Sequence, residues 1–426
     1  MSKLKEYRFT DLYEMASGIS STKEQAGHGS PFLSFSTVFN NYFVPETLSD
    51  LMNTCEKDQE TFSVQNGDIF LTRTSEVVDE LGMSSVAIKD YPNATFSGFL
   101  KRLRPTKSKV TYPKYMAFYL RSQLFRKTMT NNAVMTLRAS LNEAIFSYLE
   151  LLLPEYDDQV KAGDFLFLMN QKIELNNRIN TELEAMAKTL YDYWFVQFDF
   201  PLDFAQGKPA VNGKPYKSSG GKMVYNPILK REIPEEWEAT TVGKIAKTAL
   251  GGTPSTEVDD YWENADIPWL SSAETASFPV VGSEQKITQK GLENSAATLL
   301  PKGTVVISIV RYIRPSILAF DAATNQSVVG IKECSRLKSS FIYPYFCSEV
   351  PRLMGLRTGA QQPHINKGVI DESPIVLPTD YLLEEYYKKV DPIYDQIMTL
   401  AFESRDLIEL RDWLLPMLMN GQVTVK

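Results

Sequence analysis

Ten basic side chains, Lys101, Arg102, Arg104, Lys107, Lys109, Lys114, Arg121, Arg126, Lys127 and Arg138, stand between Tyr91 and Asn142 with no Asp or Glu among them. A second segment, Lys302 to Lys367, carries nine basic residues against three acidic. Cations at this density neutralise phosphates and other polyanions. The chain as a whole points the other way, with 45 Lys and Arg against 52 Asp and Glu and a net charge of −7. The surplus acid lies in Glu155–Pro201, nine acidic to four basic, and in Thr379–Lys426, nine to five. Two cationic segments set between acidic ones predict two polyanion-binding surfaces, although one such segment alone is more often a solvated face.

Chemistry of other kinds finds no residues to carry it. The two histidines, His28 and His364, and three cysteines, Cys55, Cys334 and Cys347, form no CxxC pair or zinc-ligand spacing, so each cysteine reads as a small buried hydrophobe. Gly221-Lys222-Met223 and Gly243-Lys244-Ile245 lack the hydroxyl of a nucleotide-binding P-loop. There is no Gly-x-Gly-x-x-Gly, no Gly-x-Ser-x-Gly, and no Asp/Asn-Pro-Pro-aromatic tetrapeptide for a flipped base. Gly251-Gly252-Thr253-Pro254 either cradles a phosphate with its N–H groups or makes a plain turn. The expectation is a binding protein, not an enzyme, with neither metal nor cofactor of its own.

At 426 residues the chain has room for two to four domains. Comparison at an offset of 224 residues organises it. Asn142–Pro154 aligns with Asn366–Pro378, Asn142 on Asn366, Ile145 on Val369 and Leu153-Pro154 on Leu377-Pro378. Both copies then run into a helical pattern. Its apolar stripe is Met169, Ile173, Leu183, Met186, Leu190 and Tyr193 in the first, and Ile393, Ile397, Leu400, Leu407, Leu410, Leu414 and Met417 in the second. Asn176 falls opposite Leu400, either fixing register from within the seam or sitting partly in solvent. No proline interrupts Glu155–Phe200, which allows a helix of about 40 residues, or ~60 Å. Pro392 starts or kinks the second helix. Pro201–Pro234, with five prolines and four glycines, reads as a linker loop.

The domains expected are therefore 1–154 and 235–378, with helical regions 155–200 and 379–426 and the linker 201–234. Within the domains, Phe62–Thr72 and Leu299–Val310 each read as a turn feeding a strand, and Pro113–Arg126 and Tyr343–Gly355 as helices. The fold class is α+β, two mixed α/β domains separated by two long antiparallel helices in a pseudo-two-fold repeat. No apolar run approaches the ~18 residues of a membrane helix. Met1–Tyr7 lacks the apolar core of a secretory signal, so a cytoplasmic protein is expected.

Several stretches resemble the specificity subunit of type I restriction–modification systems. They are Leu183-Glu184-Ala185-Met186-Ala187 with Leu190 to Pro201 (Leu-Tyr-Asp-Tyr-Trp-Phe-Val-Gln-Phe-Asp-Phe-Pro), Ile233-Pro234-Glu235-Glu236-Trp237, and Gly251–Ser255 with Tyr261-Trp262 and Ile267–Ser271. Gly359–Gln362 through Ile365-Asn366 and Leu415–Gly421 fit too. The likeness covers nearly the whole chain, but the first domain lacks the Gly-Gly-Thr-Pro and Ile-Pro-Trp features. It implies two target recognition domains, each reading half of a split site on double-stranded DNA, and two helices that set the spacer.

Those helices would also dock two copies of a modification subunit, which carries S-adenosylmethionine and methylates adenine. Restriction subunits would add ATP- and Mg-dependent translocation and cleavage. On this reading the DNA-binding residues are Arg73, Lys101, Arg102, Arg104, Lys107 and Lys109 in the first domain. In the second they are Arg311, Arg314, Arg336, Lys338, Arg357, Gln361 and Gln362, the two glutamines alternatively capping a turn. The helix-pair or partner interface is Ile173, Leu183, Met186, Leu190, Trp194, Ile397, Leu407, Leu410 and Leu414. Two other classes stay open, a self-contained DNA methyltransferase and a coiled-coil adaptor without sequence-specific DNA binding.

Overall fold

Short apolar runs separated by turns fold twice into the same pair of sheets. The computed structural model describes residues 3–425 except 21, 76–79, 133, 136–138, 141–148, 204–207, 210–212 and 360, so Arg138, Asn142 and Ile145 lie outside the described residues. It divides into two units, Met1–Ile173 with Leu407–Lys426, and Glu174–Asp406.

In unit 1 the main elements are β1 (Lys5–Arg8), β2 (Tyr13–Ser17), β3 (Ala26–Leu33), β4 (Leu51–Met52), β5 (Ile69–Thr72), β6 (Ser84–Val86), β7 (Thr95–Phe96) and β8 (Leu100–Pro105). They are followed by α1 (Pro113–Tyr119), α2 (Gln123–Asn132), β9 (Glu150–Leu153) and the start of α3 (Tyr156–Tyr191). The central sheet is antiparallel in the order β2-β8-β5-β6. A small sheet, β4-β3-β7, joins β3 and β7 in parallel, and β1 pairs with β9.

Unit 2 repeats this with β10 (Glu238–Thr241), β11 (Thr248–Leu250), β12 (Ile267–Leu270), β13 (Gln285–Ile287), β14 (Val305–Ser308), β15 (Arg314–Ile317), β16 (Ala323–Thr324) and β17 (Val328–Ile331). Then come α4 (Ser339–Gly355), α5 (Lys367–Asp371), β18 (Pro374–Leu377) and most of α6 (Asp380–Met419). Its central sheet runs β11-β17-β14-β15, its small sheet β13-β12-β16 again has one parallel pair, and β10 pairs with β18. Counted along the chain, both central sheets have the order first, fourth, second, third.

The second strand of each central sheet is buried along its whole length, Ile69–Thr72 in one and Val305–Ser308 in the other. A strand covered on both faces favours a continuous apolar run over alternation. Gly67 and Gly303, at φ of 89° and 85°, make the turns that feed them. The missing Gly-Gly-Thr-Pro of unit 1 has a structural substitute. A Cβ on Gly18 would lie 2.2 Å from the Ser97 carbonyl oxygen, and one on Gly251 2.2 Å from that of Asn325. Each glycine lets the chain leaving the first sheet strand cross the end of the short parallel strand. Only the glycine is required for this, so the surrounding motif differs between units.

The helices depart from the sequence expectation at particular points. Pro113–Arg126 is broken at Leu120–Ser122 into α1 and α2. Helix α6 begins at Asp380 and runs through Pro392. The proline forfeits one backbone hydrogen bond, but Tyr386, Val390, Tyr394 and Ile397 on either side are buried in one core and hold the helix together. Beyond α3, Asp192–Val196 forms a π-turn that buries both Trp194 and Phe195. Phe195 packs edge-on against Tyr386 at 4.7 Å and Phe341 at 4.8 Å, and Trp194 lies 5.7 Å from Tyr386. The linker also carries structure, with Pro201–Asp203 paired to Lys208–Pro209 and Lys214–Pro215, and Met223–Asn226 paired to Arg231–Pro234. Stacking of Phe200 between Tyr216 and Trp237 explains why a Pro- and Gly-rich segment packs.

Within unit 2, α3 and α6 are antiparallel. Asn176 Nδ2 donates to Glu403 Oε2 at 2.9 Å, and Asn180 Nδ2 to the Ile397 carbonyl at 3.2 Å. Asn176 is fully buried, so the partly solvated alternative does not hold. Ala187 and Tyr191 are buried in place of Met186 and Leu190, and Met186 is 58% exposed. Leu183 and Leu190 pack partly buried against the core that holds Ile397, whereas Leu410 is exposed in unit 1. The seam buries Asn176, and it buries Ala187 and Tyr191 one residue along from the expected Met186 and Leu190. In unit 1, Ala162 and Leu166 share a core with Leu415, Leu418 and Met419, with Leu414 packed beside it, while Ile173 is buried and Leu407 half-buried.

Candidate nucleic-acid interface

Strand β8 carries the densest basic run, and the fold uses most of it internally. Lys101 is buried and its Nζ donates to Ser17 Oγ at 2.8 Å. Arg102 donates to the carbonyls of Thr61 and Ser63 and lies over the Phe96 ring, and burial lowers its pKa. Arg104 grips both oxygens of the buried Asp68 at 2.7 and 2.6 Å, and this hydrogen-bonded pairing raises its own pKa. Arg121 spends its guanidinium on the carbonyls of Ser84, Val38, Phe39 and Asn41, and burial pushes its pKa down to about 10. A buried cation must be paired or hydrogen-bonded. Lys101 and Arg102 are buried and Arg104 half-buried, and each spends its cation on bonds within unit 1.

Arg73, Lys107 and Lys109 are exposed, but they occupy two places. Thr72 pairs with Leu100 and Tyr13 with Pro105. Arg73, one step beyond Thr72, thus stands at one end of β8, and Lys107 and Lys109 follow its other end. The Arg73 N–H donates to the Phe99 carbonyl at 2.9 Å, and the Phe99 ring is 65% exposed.

The matching end of unit 2 assembles a larger cluster. The chain leaving β14 enters the loop Ile309–Ile313, where the Ile309 N–H donates to the Ser327 carbonyl at 2.9 Å, the counterpart of the Arg73–Phe99 bond. Val310 bridges to His364, and His364 to Thr358. The Arg311 N–H donates to the Pro363 carbonyl at 2.8 Å, and the Arg357 guanidinium donates to the Arg311 carbonyl. These bonds bring Arg311, Tyr312, Arg314, Arg357, Gln361 and Gln362 to one end of the sheet. Arg311, Arg314 and both glutamines are exposed, and the Arg314 guanidinium lies 5.4 Å from the Tyr312 ring centre. Thr358 and His364 sit 224 residues after Val134 and Ser140, which lie in the paired strands Val134–Met135 and Ala139–Ser140 of unit 1.

Arg336 and Lys338 lie beyond the opposite end of β17. Arg336 pairs with Asp380 at 2.7 Å and Glu238 at 3.7 Å, and Lys338 with Asp391 at 2.6 Å. They tie the domain to α6 and stand apart from the Arg311 cluster. The sheet ends that hold Arg73 and the Arg311 cluster also carry Phe99, Tyr312 and His364, which sequence reasoning does not place there. Phe99 stands near Phe96 and Leu100, and Tyr312 between Val310 and Ile313, so the sequence reads both as core and only the turn that exposes each ring sets it apart. Among the described residues, no three of His, Cys, Asp and Glu group as metal ligands, and no helix is long and apolar enough to cross a membrane. The three cysteines are free. Cys55 is exposed, contrary to expectation, and donates to Asp58, whereas burial pushes the Cys347 thiol up to about 11.

Two exposed cation-bearing loops at equivalent ends of equivalent sheets can bind phosphate and present donors to base edges. Comparison with known proteins agrees in kind. Residues 1–185 and 234–409 match the type I restriction modification DNA specificity domain. The chain is 23% identical to the type I restriction enzyme MjaIX specificity subunit of Methanocaldococcus jannaschii, over 98% of this chain and 93% of that protein. It is 22% identical to the HindI specificity subunit of Haemophilus influenzae, over 92% and 94%. Its fold is like the crystal structure of a type I restriction–modification S subunit from M. genitalium, with a TM-score of 0.59 at 13% identity, over 98% of this chain and 96% of that one.

Proposed function

The chain belongs to the type I restriction modification DNA specificity family, and from that membership we propose that it is the non-catalytic, sequence-reading subunit of a DNA-modifying complex. Residues 1–154 and 235–378 act as target recognition domains, each reading one half of a bipartite site on double-stranded DNA. The helical regions 155–200 and 379–426 set the spacer between the halves and dock two copies of a modification subunit. S-adenosylmethionine then resides on the modification subunit, and ATP and Mg on restriction subunits. Such a complex works on DNA in the cytoplasm.

One observation carries this reading. Two units of identical strand order place exposed cations at the same end of the same strand, Arg73 in one and the Arg311 cluster in the other. A protein that reads two different half-sites needs a repeated scaffold with divergent loops. Phosphate contacts hold the register, and Arg or Gln reads the base edges. The test is binding of the complex with its modification subunit to duplex DNA across a salt series. Arg73→Ala and Arg311→Ala should each weaken binding while the chain stays folded. Unchanged affinity in both would place the DNA elsewhere.

A further inference from the structure

Resting on the reading above, we propose that Phe99 and Tyr312 are base-contacting residues, each packing its ring on the 5-methyl group of a thymine in the half-site its own domain reads. Phe99 is the third residue of the turn Ser97–Leu100, closed by the Leu100 N–H on the Ser97 carbonyl at 2.9 Å. The Phe99 N–H donates to Ser97 Oγ at 3.2 Å, so the backbone beneath the ring is held. The corresponding turn of unit 2, Asn325–Val328, closes in the same way at 3.2 Å and carries Ser327 in place of Phe99. The turn therefore does not require an aromatic residue, and a ring left 65% exposed is not there for the fold.

Unit 2 places its aromatic residue on the neighbouring loop of the same sheet end. Tyr312 is 62% exposed between Arg311 and Arg314, and the Arg314 guanidinium packs on its ring. The loop is fixed by the Arg311–Pro363 bond, by the Tyr312 N–H on the Val310 carbonyl at 2.8 Å, and by Arg357. A ring on an ordered loop among cations meets DNA without prior rearrangement. A phenyl ring has no hydrogen bond to offer a base, and the apolar feature of a base edge is the thymine methyl. Using different loops in the two units lets one scaffold place this ring at different positions in the two halves.

The experiment uses the complex of full-length chain and modification subunit on its own target duplex, with each thymine replaced in turn by deoxyuridine. At one thymine in each half, affinity should fall about fourfold, the value of one buried methyl group. Phe99→Ala should abolish that sensitivity in one half only, and Tyr312→Ala in the other, while Tyr312→Phe keeps it. A half-site without thymine, no sensitive position, or sensitivity that survives the alanine variants would overturn the proposal. Arg311→Ala with Arg314→Ala separates the two failures. If that pair weakens binding and the rings do not matter, only the aromatic assignment is wrong. If it has no effect, the sheet-end surface is wrong as well.

Discussion

Arg104 Nε and a terminal guanidinium nitrogen grip both oxygens of Asp68, whose carboxylate is fully buried in the core of unit 1. A planar guanidinium matches a carboxylate in this two-bonded geometry, and removing one partner strands the other. Arg104→Ala should therefore destabilise the protein by about 3 kcal/mol, read as a lower denaturation midpoint at unchanged denaturant slope. A variant of wild-type stability that binds DNA more weakly would instead place Arg104 at the interface.

The Arg311 cluster should respond in the opposite way. Arg311 and Arg314 are exposed, so replacing both with Ala should leave the melting temperature within about a degree. Every phosphate that the variant no longer neutralises should lower the slope of log affinity against log salt by about 0.9. Binding measured between low and moderate salt decides this, and an unchanged slope would exclude both residues from the phosphate backbone.

Asn176 in the helix seam offers a test of stability. Its Nδ2 reaches Glu403, but among the described residues its buried Oδ1 has no hydrogen-bond partner, and the same holds for Asn180 Oδ1 and Ser404 Oγ. A buried unsatisfied acceptor costs about 1–3 kcal/mol, and replacing both partners by apolar residues of similar shape is neutral or stabilising. Asn176→Leu with Glu403→Met should hold or raise the thermal midpoint, whereas Asn176→Ala alone should lower it. Calorimetry showing the double variant less stable than Asn176→Ala would refute this account of the seam.

Lengthening α3 and α6 by seven residues each keeps the buried face of both helices aligned. If the helices set the spacer, the recognised site should grow by about 10.5 Å, near three base pairs at ~3.4 Å each. Both half-sites should stay the same. A changed half-site, read by sequencing the modified DNA, would contradict the spacer role.

What can be read from the chain alone follows from which physics is local. The proline-free run after Glu155 and the buried runs Ile69–Thr72 and Val305–Ser308 show themselves through composition and periodicity, which suffice for elements and class. Gly18 stays invisible, because its role depends on a carbonyl of Ser97 nearly 80 residues away in sequence. Charge counting marks β8 as a binding surface, yet Lys101 and Arg102 are buried and Arg104 half-buried, so their cations bond internal acceptors. Lys101, Arg102 and Arg104 find Ser17, the carbonyls of Thr61 and Ser63, and Asp68. Helix α6 continues through Pro392 because the tertiary packing of Tyr386, Val390 and Ile397 outweighs one missing hydrogen bond, so the proline does not start it. In the second basic segment Arg311 and Arg314, both exposed, are legible as a strand followed by arginines. Nothing in sequence spacing separates them from the ion-paired Arg336 and Lys338.

The central claim, that the two domains each read one half of a split DNA site, is tested most directly by mapping methylated bases in a host genome free of its own modification. The chain is expressed there with its modification subunit. The account predicts N6-methyladenine in two short specific sequences separated by a fixed nonspecific spacer, and its disappearance when the chain is omitted. Methylation at one continuous motif, or a split motif that persists without this chain, would contradict it.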